Sequence, residues 1–283
     1  MLAYNPFSDL GATIPSIAMQ AFLIAMVILV IAGVVLDMMH KKNVKYFFEN
    51  AKKAKQAATR ELSSGEKASI IAKTVASDIM TSSEFCTFQR RAAHLLGMYG
   101  TIIFWVTSAM LIFSYSTPSS AAPAMIPMLW HIGAIMTCVG GFWFWFSIRV
   151  NVSAEGHPWY HVMFADLFVL ALLASQSTAL LWSITQSSGS ILSGLFLLLF
   201  IVSNVVLFGG VYWSKFAHMF YKPGAAIQKN LAEADGSRDN LPPPADAPEQ
   251  FGLGIKREQP KHCLLYTSPS PRDATLSRMP SSA

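Results

Sequence analysis

The sequence predicts an all-α integral membrane protein. The expected architecture is a bundle of five transmembrane helices, N-terminus outside and C-terminus in the cytoplasm, with a basic helical cytoplasmic loop between helices 1 and 2. Three observations carry this expectation. Of the 283 residues, 53% are hydrophobic and only 13% are charged, whereas a soluble domain carries about 25% charge. Five apolar runs recur, each near the roughly 20 residues that a helix needs to cross a hydrocarbon core about 30 Å thick. The basic residues gather in alternate connections, which the positive-inside rule places on the cytoplasmic side of a bacterial inner membrane.

Residues 14–39 form the first run, with Asp37 and His40 at its far end. Residues 41–93 hold eleven Lys or Arg against five acids. Few breakers interrupt 44–60 and 69–80, and Ser63-Ser64-Gly65 marks a turn between them. Such a stretch suits either amphipathic helices on anionic headgroups or a docking platform for a soluble partner, and the two readings coexist. Four further runs follow at 92–115, 126–148, 162–184 and 191–213, and the connections 116–127 and 186–190 carry no charge. The expected division is 1–40 for the N-terminus and first span, 41–91 for the basic loop and 92–222 for a four-helix membrane core. A mobile cytoplasmic tail is expected over 223–262, where Pro, Ala and charge dominate. Cys263-Leu264-Leu265-Tyr266-Thr267-Ser268 reads as the translated end of a transposase-type sequencing adapter. Residues 263–283 are therefore expected to be read-through, and the natural chain to be interrupted near His262.

Composition also narrows the function classes. Net charge is +5 and the isoelectric point is near 9.1, yet the basic residues form no aromatic-interleaved stripe, so nucleic acid is not an expected partner. Cys86, Cys138 and Cys263 show neither a CxxC spacing nor a paired framework, which argues against an iron–sulfur cluster or a disulfide scaffold in this chain. No glycine-rich nucleotide loop is present. No internal repeat points to an inverted-repeat transporter.

The residues that can carry chemistry are mostly histidines. His94 opens the second span after Arg90-Arg91, and His218 closes the fifth in Ser214-Lys215-Phe216-Ala217-His218. Antiparallel spans would bring these two imidazoles level, as axial ligands of one b-type haem. Gly97 and Gly100 would let a porphyrin approach the second span, and Gly209 and Gly210 could do the same on the fifth. His131 lies toward the outer face, while His161, Asp166 and Tyr99 lie toward the cytoplasmic one; these four are candidates around a quinone. Asp166 sits about one turn inside the fourth span, where an acid is costly without a partner; a hydrogen bond to His161 or proton handling near a quinone is expected. His157 and His161, four apart, with Asp166 or Asp37, also offer the raw material of a copper or zinc site. The plainer alternatives are headgroup-level histidines and a haem-free structural anchor.

These motifs carry a resemblance. Arg90-Arg91-x-x-His94, the five-span layout and Tyr212-Trp213-Ser214-Lys215-Phe216-Ala217-His218-Met219-Phe220-Tyr221 resemble the membrane subunits of the nitrate reductase gamma family. That family includes the cytochrome b subunits of quinone-interacting oxidoreductase complexes. The long basic first loop and the Glu84-Phe85-Cys86 entry are similar to the membrane anchor associated with adenylylsulfate (APS) reductase. The resemblance implies electron transfer between quinone and a cytoplasmic flavin and iron–sulfur partner. It also implies cytoplasmic-side haem ligands at His94 and His218. A second haem in that family uses a deeper histidine on each helix; here 101–108 and 196–209 contain none, so one haem, or none, is the expectation.

Overall fold

A computed structural model describes residues 2–41, 43–56, 58–83, 85, 87–150 and 158–237. Glu84, Cys86, His157 and the stretches 238–262 and 263–283 lie outside the described residues. Among the described residues the chain is helical, without strands. The helices are α1 (Pro6–Leu10), α2 (Ser16–Lys41), α3 (Asn43–Gln56), α4 (Ser64–Thr74), α5 (Phe88–Ser114), α6 (Met125–Trp143), α7 (Leu167–Ser187), α8 (Ser193–Gly209) and α9 (His218–Ala234). Two compact units result, one of residues 1–44 with 92–221 and one of 45–91 with 222–283.

Among the described residues four helices are long and apolar enough to cross a membrane: Ser16–His40, Phe88–Ser114, Met125–Ile148 and Phe164–Ser187. The chain is thus read as a multi-pass membrane protein. The fifth expected span is present as the apolar but shorter helix Ser193–Gly209, which at 17 residues lies at the lower limit of a spanning length. Large apolar side chains such as Ile17, Ile31, Val106 and Val139 stay exposed on the helix surfaces, as they do when lipid rather than water is the solvent.

Within the first unit, α5 and α6 run antiparallel and touch backbone to backbone. A Cβ on Gly100 would stand 2.6 Å from the Thr137 nitrogen, and one on Gly140 would stand 2.6 Å from the Ala93 carbonyl oxygen. Only glycine permits that approach, the usual device where helices in lipid gain little from burying apolar surface. Polar side chains then tie the seam: Thr101 and Thr137 hydroxyls lie 3.3 Å apart, and Trp130 Nε1 donates to Ser108 Oγ at 2.8 Å. The α7–α8 pair carries its own tie, Ser175 Oγ to Asn204 Oδ1 at 3.2 Å. Short α1 closes one end of the bundle. Its Phe7 ring meets Trp130 and Trp182 edge-on at 5.8 and 5.3 Å, and Asn5 donates to the Tyr115 carbonyl.

The second unit is polar. Ser63 caps α4 in a capping box with Glu66. Helix α4 continues as a π-helical turn, Val75–Met80. Helix α9 runs through residues 223–234, the first part of the stretch expected as a tail, with Pro223 inside it. The end of α9 is bound to the loop: Thr59 N–H donates to the Asp235 carbonyl at 3.0 Å, and Arg60 Nε donates to the Ala234 carbonyl at 2.8 Å.

Candidate functional site

The most fully built polar site lies where α6 ends and α7 begins. Helix α6 finishes in a π-helical turn, Phe144–Ile148, closed by Arg149 N–H donating to the Phe144 carbonyl at 2.9 Å. That turn ends on Arg149, a cation with no solvent exposure. Its guanidinium lies 4.2 Å from the centroid of the Trp145 ring, one turn earlier. It donates to the Pro158 carbonyl at 3.0 Å, to the His161 carbonyl and to Asp166 Oδ2. The same carboxylate oxygen accepts the Met163 N–H at 2.9 Å. One guanidinium thus fixes the chain entering α7 at three points, and the carboxylate shares in the cap.

Asp166 was expected to bond His161 or to handle protons; its charge partner is Arg149. A buried carboxylate needs an opposite charge to offset desolvation, and a neutral imidazole is a poorer one. In the sequence Arg149 is the basic residue that directly follows the apolar run 126–148. The signal available was the pairing of one basic residue ending a span with one acid opening the next. His161 takes part through its backbone carbonyl, and its side chain is exposed. His157 lies outside the described residues, so a pair with His161 is not described; among the described residues no three His, Cys, Asp or Glu side chains gather as metal ligands do.

His131 belongs to a different place. Its Nδ1 lies 2.7 Å from the Pro127 carbonyl, so it donates there; its Nε2 then accepts from Ser183 Oγ at 2.8 Å. Both ring nitrogens are thereby engaged, in a buried histidine. Ser183 and Asp166 stand at opposite ends of α7, roughly 25 Å apart at 1.5 Å per residue. His131 and Asp166 therefore do not share one quinone site.

The expected haem residues divide. On α5, His94 is exposed and Tyr99 half-buried. Gly97 opens onto free space, whereas Gly100 is closed by α6. A Cβ at Gly97 would meet nothing within 4 Å, whereas Gly100 serves helix contact. Gly209 also opens onto free space, while Gly210 is packed against Val206 and Leu167. His218 begins α9, and its side chain lies outside the described residues. Trp105 lies about three turns beyond His94 on the same face of α5. It stacks on Phe216 at 6.2 Å and meets Phe208 at 5.3 Å, so the turn Lys215–Ala217 that precedes His218 packs at the level of Trp105, roughly 16 Å along α5 from His94. Phe168 closes the cluster, edge-on to Phe216 at 5.1 Å.

A groove of about 350 Å³ runs between α6 and α7. Phe142, Trp145, Phe146, Leu170, Leu173 and Ser177 line it, with Cys138 Sγ 3.6 Å from Ser177 Oγ. Trp145, whose ring meets the Arg149 guanidinium, is part of that lining.

In the polar unit Asp78 is the focus. It accepts from Ser77, Ser83 and Asn230 at 2.9, 2.7 and 2.9 Å. Partial burial works against its charged form, and these hydrogen bonds prevail, holding the carboxyl below the usual aspartate range. Asn230 also donates to Thr74 Oγ1 at 2.8 Å, which joins α9 to α4. Phe85 receives the Arg90 guanidinium and the Lys222 ammonium at 5.8 and 5.9 Å. No protein-family model matches the chain, and no curated protein or solved structure matches it.

Proposed function

We propose that this chain is the membrane anchor and electron-transfer subunit of a larger oxidoreductase. It would hold a cytoplasmic flavin and iron–sulfur enzyme of the APS reductase type at a bacterial inner membrane and link it to the quinone pool. Five spans with the N-terminus outside would place the basic connection and α9 in the cytoplasm. The observation that carries the reading is that this connection is a folded helical unit, closed by α9, rather than a bare linker. A protein that serves only to cross a bilayer has no use for it.

The finer assignment rests on less. One b-type haem, held by His94 and His218, would supply one-electron chemistry. The exposure of His94 and the absence of any neighbour to a Cβ at Gly97 support it. The aromatic groove on Trp145 supports a place for an apolar quinone. The closure of Gly100 by α6 and the filled Trp105–Phe208–Phe216 cluster favour a second reading, a haem-free anchor.

A reduced-minus-oxidised spectrum of the purified subunit separates the two. A b-type signal lost in both His94→Ala and His218→Ala, with the chain still inserted, supports the electron-transfer reading. A colourless subunit that still retains a soluble oxidoreductase on the membrane leaves the anchor alone. Failure to retain any such enzyme sinks both.

A further inference from the structure

Helix α3 begins two residues after α2 ends, at Asn43 after Lys41. At 3.8 Å between successive Cα atoms the chain cannot carry its start far from the end of that span. The helix is amphipathic. Phe47, Phe48 and Ala51 share one face by helical register, and Lys45, Glu49 and Lys53 share the opposite one. Lys52 borders the apolar face, and Lys55, seven residues after Phe48, lies on the same stripe as that ring. Phe48 is 65% exposed, and its ring lies edge-on to Phe47 at 5.5 Å. Lys45, Lys52, Lys53 and Lys55 are all exposed. Lys45 pairs with Glu49 at 3.8 Å; among the described residues Lys52, Lys53 and Lys55 are exposed ammonium groups with no such carboxylate partner.

From this arrangement we infer that α3 is an interfacial helix that binds the anionic phospholipid headgroups of the leaflet where α2 ends, with Phe48 inserted among the acyl chains. Three features converge on that occupant. The helix starts at membrane level by chain connectivity. A large aromatic ring is exposed, which water alone would disfavour. Lysines border the ring on long stems that reach upward to phosphate while the ring reaches down. A soluble acidic partner would meet the lysines but would leave Phe48 unexplained. The helix thereby holds its end of the basic connection flat against the bilayer.

The test uses the full chain in vesicles of about 30% phosphatidylglycerol in phosphatidylcholine, a surface charge in the range that attracts polybasic segments. Nitroxide labels are placed at Phe48→Cys, Lys53→Cys and Ile24→Cys, with Cys86, Cys138 and Cys263 changed to serine. Relaxation by oxygen, which concentrates in lipid, is compared with relaxation by a water-soluble nickel complex. Position 24, exposed on the first span, marks correctly inserted chains. The expected result is lipid-like relaxation at 48 and water-like relaxation at 53. In phosphatidylcholine alone, or with Lys45, Lys52 and Lys53 changed to glutamate, position 48 is expected to shift toward water. A benzophenone side chain at position 48 in the otherwise unaltered chain gives a second reading, with adducts to lipid expected. Nickel access at 48 in the anionic vesicles overturns the inference. So do shielding of 48 from both reagents, adducts to protein alone, or a depth that does not respond to lipid charge.

Discussion

In the span-bearing unit, Gly100, Gly133 and Gly140 bring two helix backbones into contact, and Arg149, fully buried, is paired with Asp166. In the polar unit few apolar side chains are buried, Leu62 and Ala226 among them. Asn230, Thr59 and Arg60 instead reach between segments to make hydrogen bonds. The contrast follows from the two solvents. In lipid, apolar burial separates folded from unfolded only weakly, so close packing and satisfied polar groups decide the arrangement. In water a small unit with little core relies on caps and hydrogen bonds, each contributing about 1 kcal/mol, and it is correspondingly easier to open.

The largest expected effect is in the buried ion pair. Arg149→Ala leaves Asp166 buried and uncompensated, and should destabilise the unit by about 3–5 kcal/mol. The joint replacement Arg149→Met with Asp166→Leu should recover part of that loss, because it removes both desolvation costs but leaves the Pro158 and His161 carbonyls and the Met163 N–H without these partners. Thermal unfolding in detergent measures both, and equal loss in the single and double variants would show that the pair does not act as a pair.

Next comes the glycine seam. Gly140→Val drives a side chain against the Ala93 carbonyl and the Gly97 nitrogen, and overpacking of this kind costs about 1–3 kcal/mol or more. Gly194→Val is the control, since a Cβ there meets nothing. Similar behaviour of the two variants in the same melt would mean the seam is not a tight one.

A smaller effect is expected at Asn230→Ala, about 1 kcal/mol, confined to the polar unit. Faster amide exchange along α4 and α9, with the spans unchanged, is the signature. Acid should reproduce it. The Asp78 carboxyl is held below its ordinary value of 3.8. Its contribution is therefore present above that value and is lost as pH falls through the lower, folded-state value. Protection along α9, taken relative to the intrinsic exchange rate at each pH, should fall below about pH 4, and Asp78→Asn should flatten that dependence.

Much of the span-bearing unit was legible in the sequence, because a run of apolar residues long enough to cross lipid is a property of the chain read locally. Residues 126–148 were expected as a span, and the structure gives Met125–Ile148. The residues that hold the spans together were less legible. Gly100 was read as a groove for a porphyrin, but it meets Thr137, and nothing in its own neighbourhood names a partner 37 residues on. His131 announces an ionisable group in a span; whether it is a ligand or a satisfied core residue depends on Ser183, which only folding brings to it. The helical character of 223–234 was hidden by Pro223 and by composition, because its stabilising partners, Thr74 and Asp78, lie far back along the chain.

What the chain determined by itself is its partition: which segments belong in lipid and which in water, set by transfer free energies that add up residue by residue. What the tertiary structure decided is pairing. Arg149 with Asp166, Gly140 with Ala93, and Asn230 with Thr74 and Asp78 are all contacts whose energy exists only when two distant segments meet. No local sum over the sequence contains them.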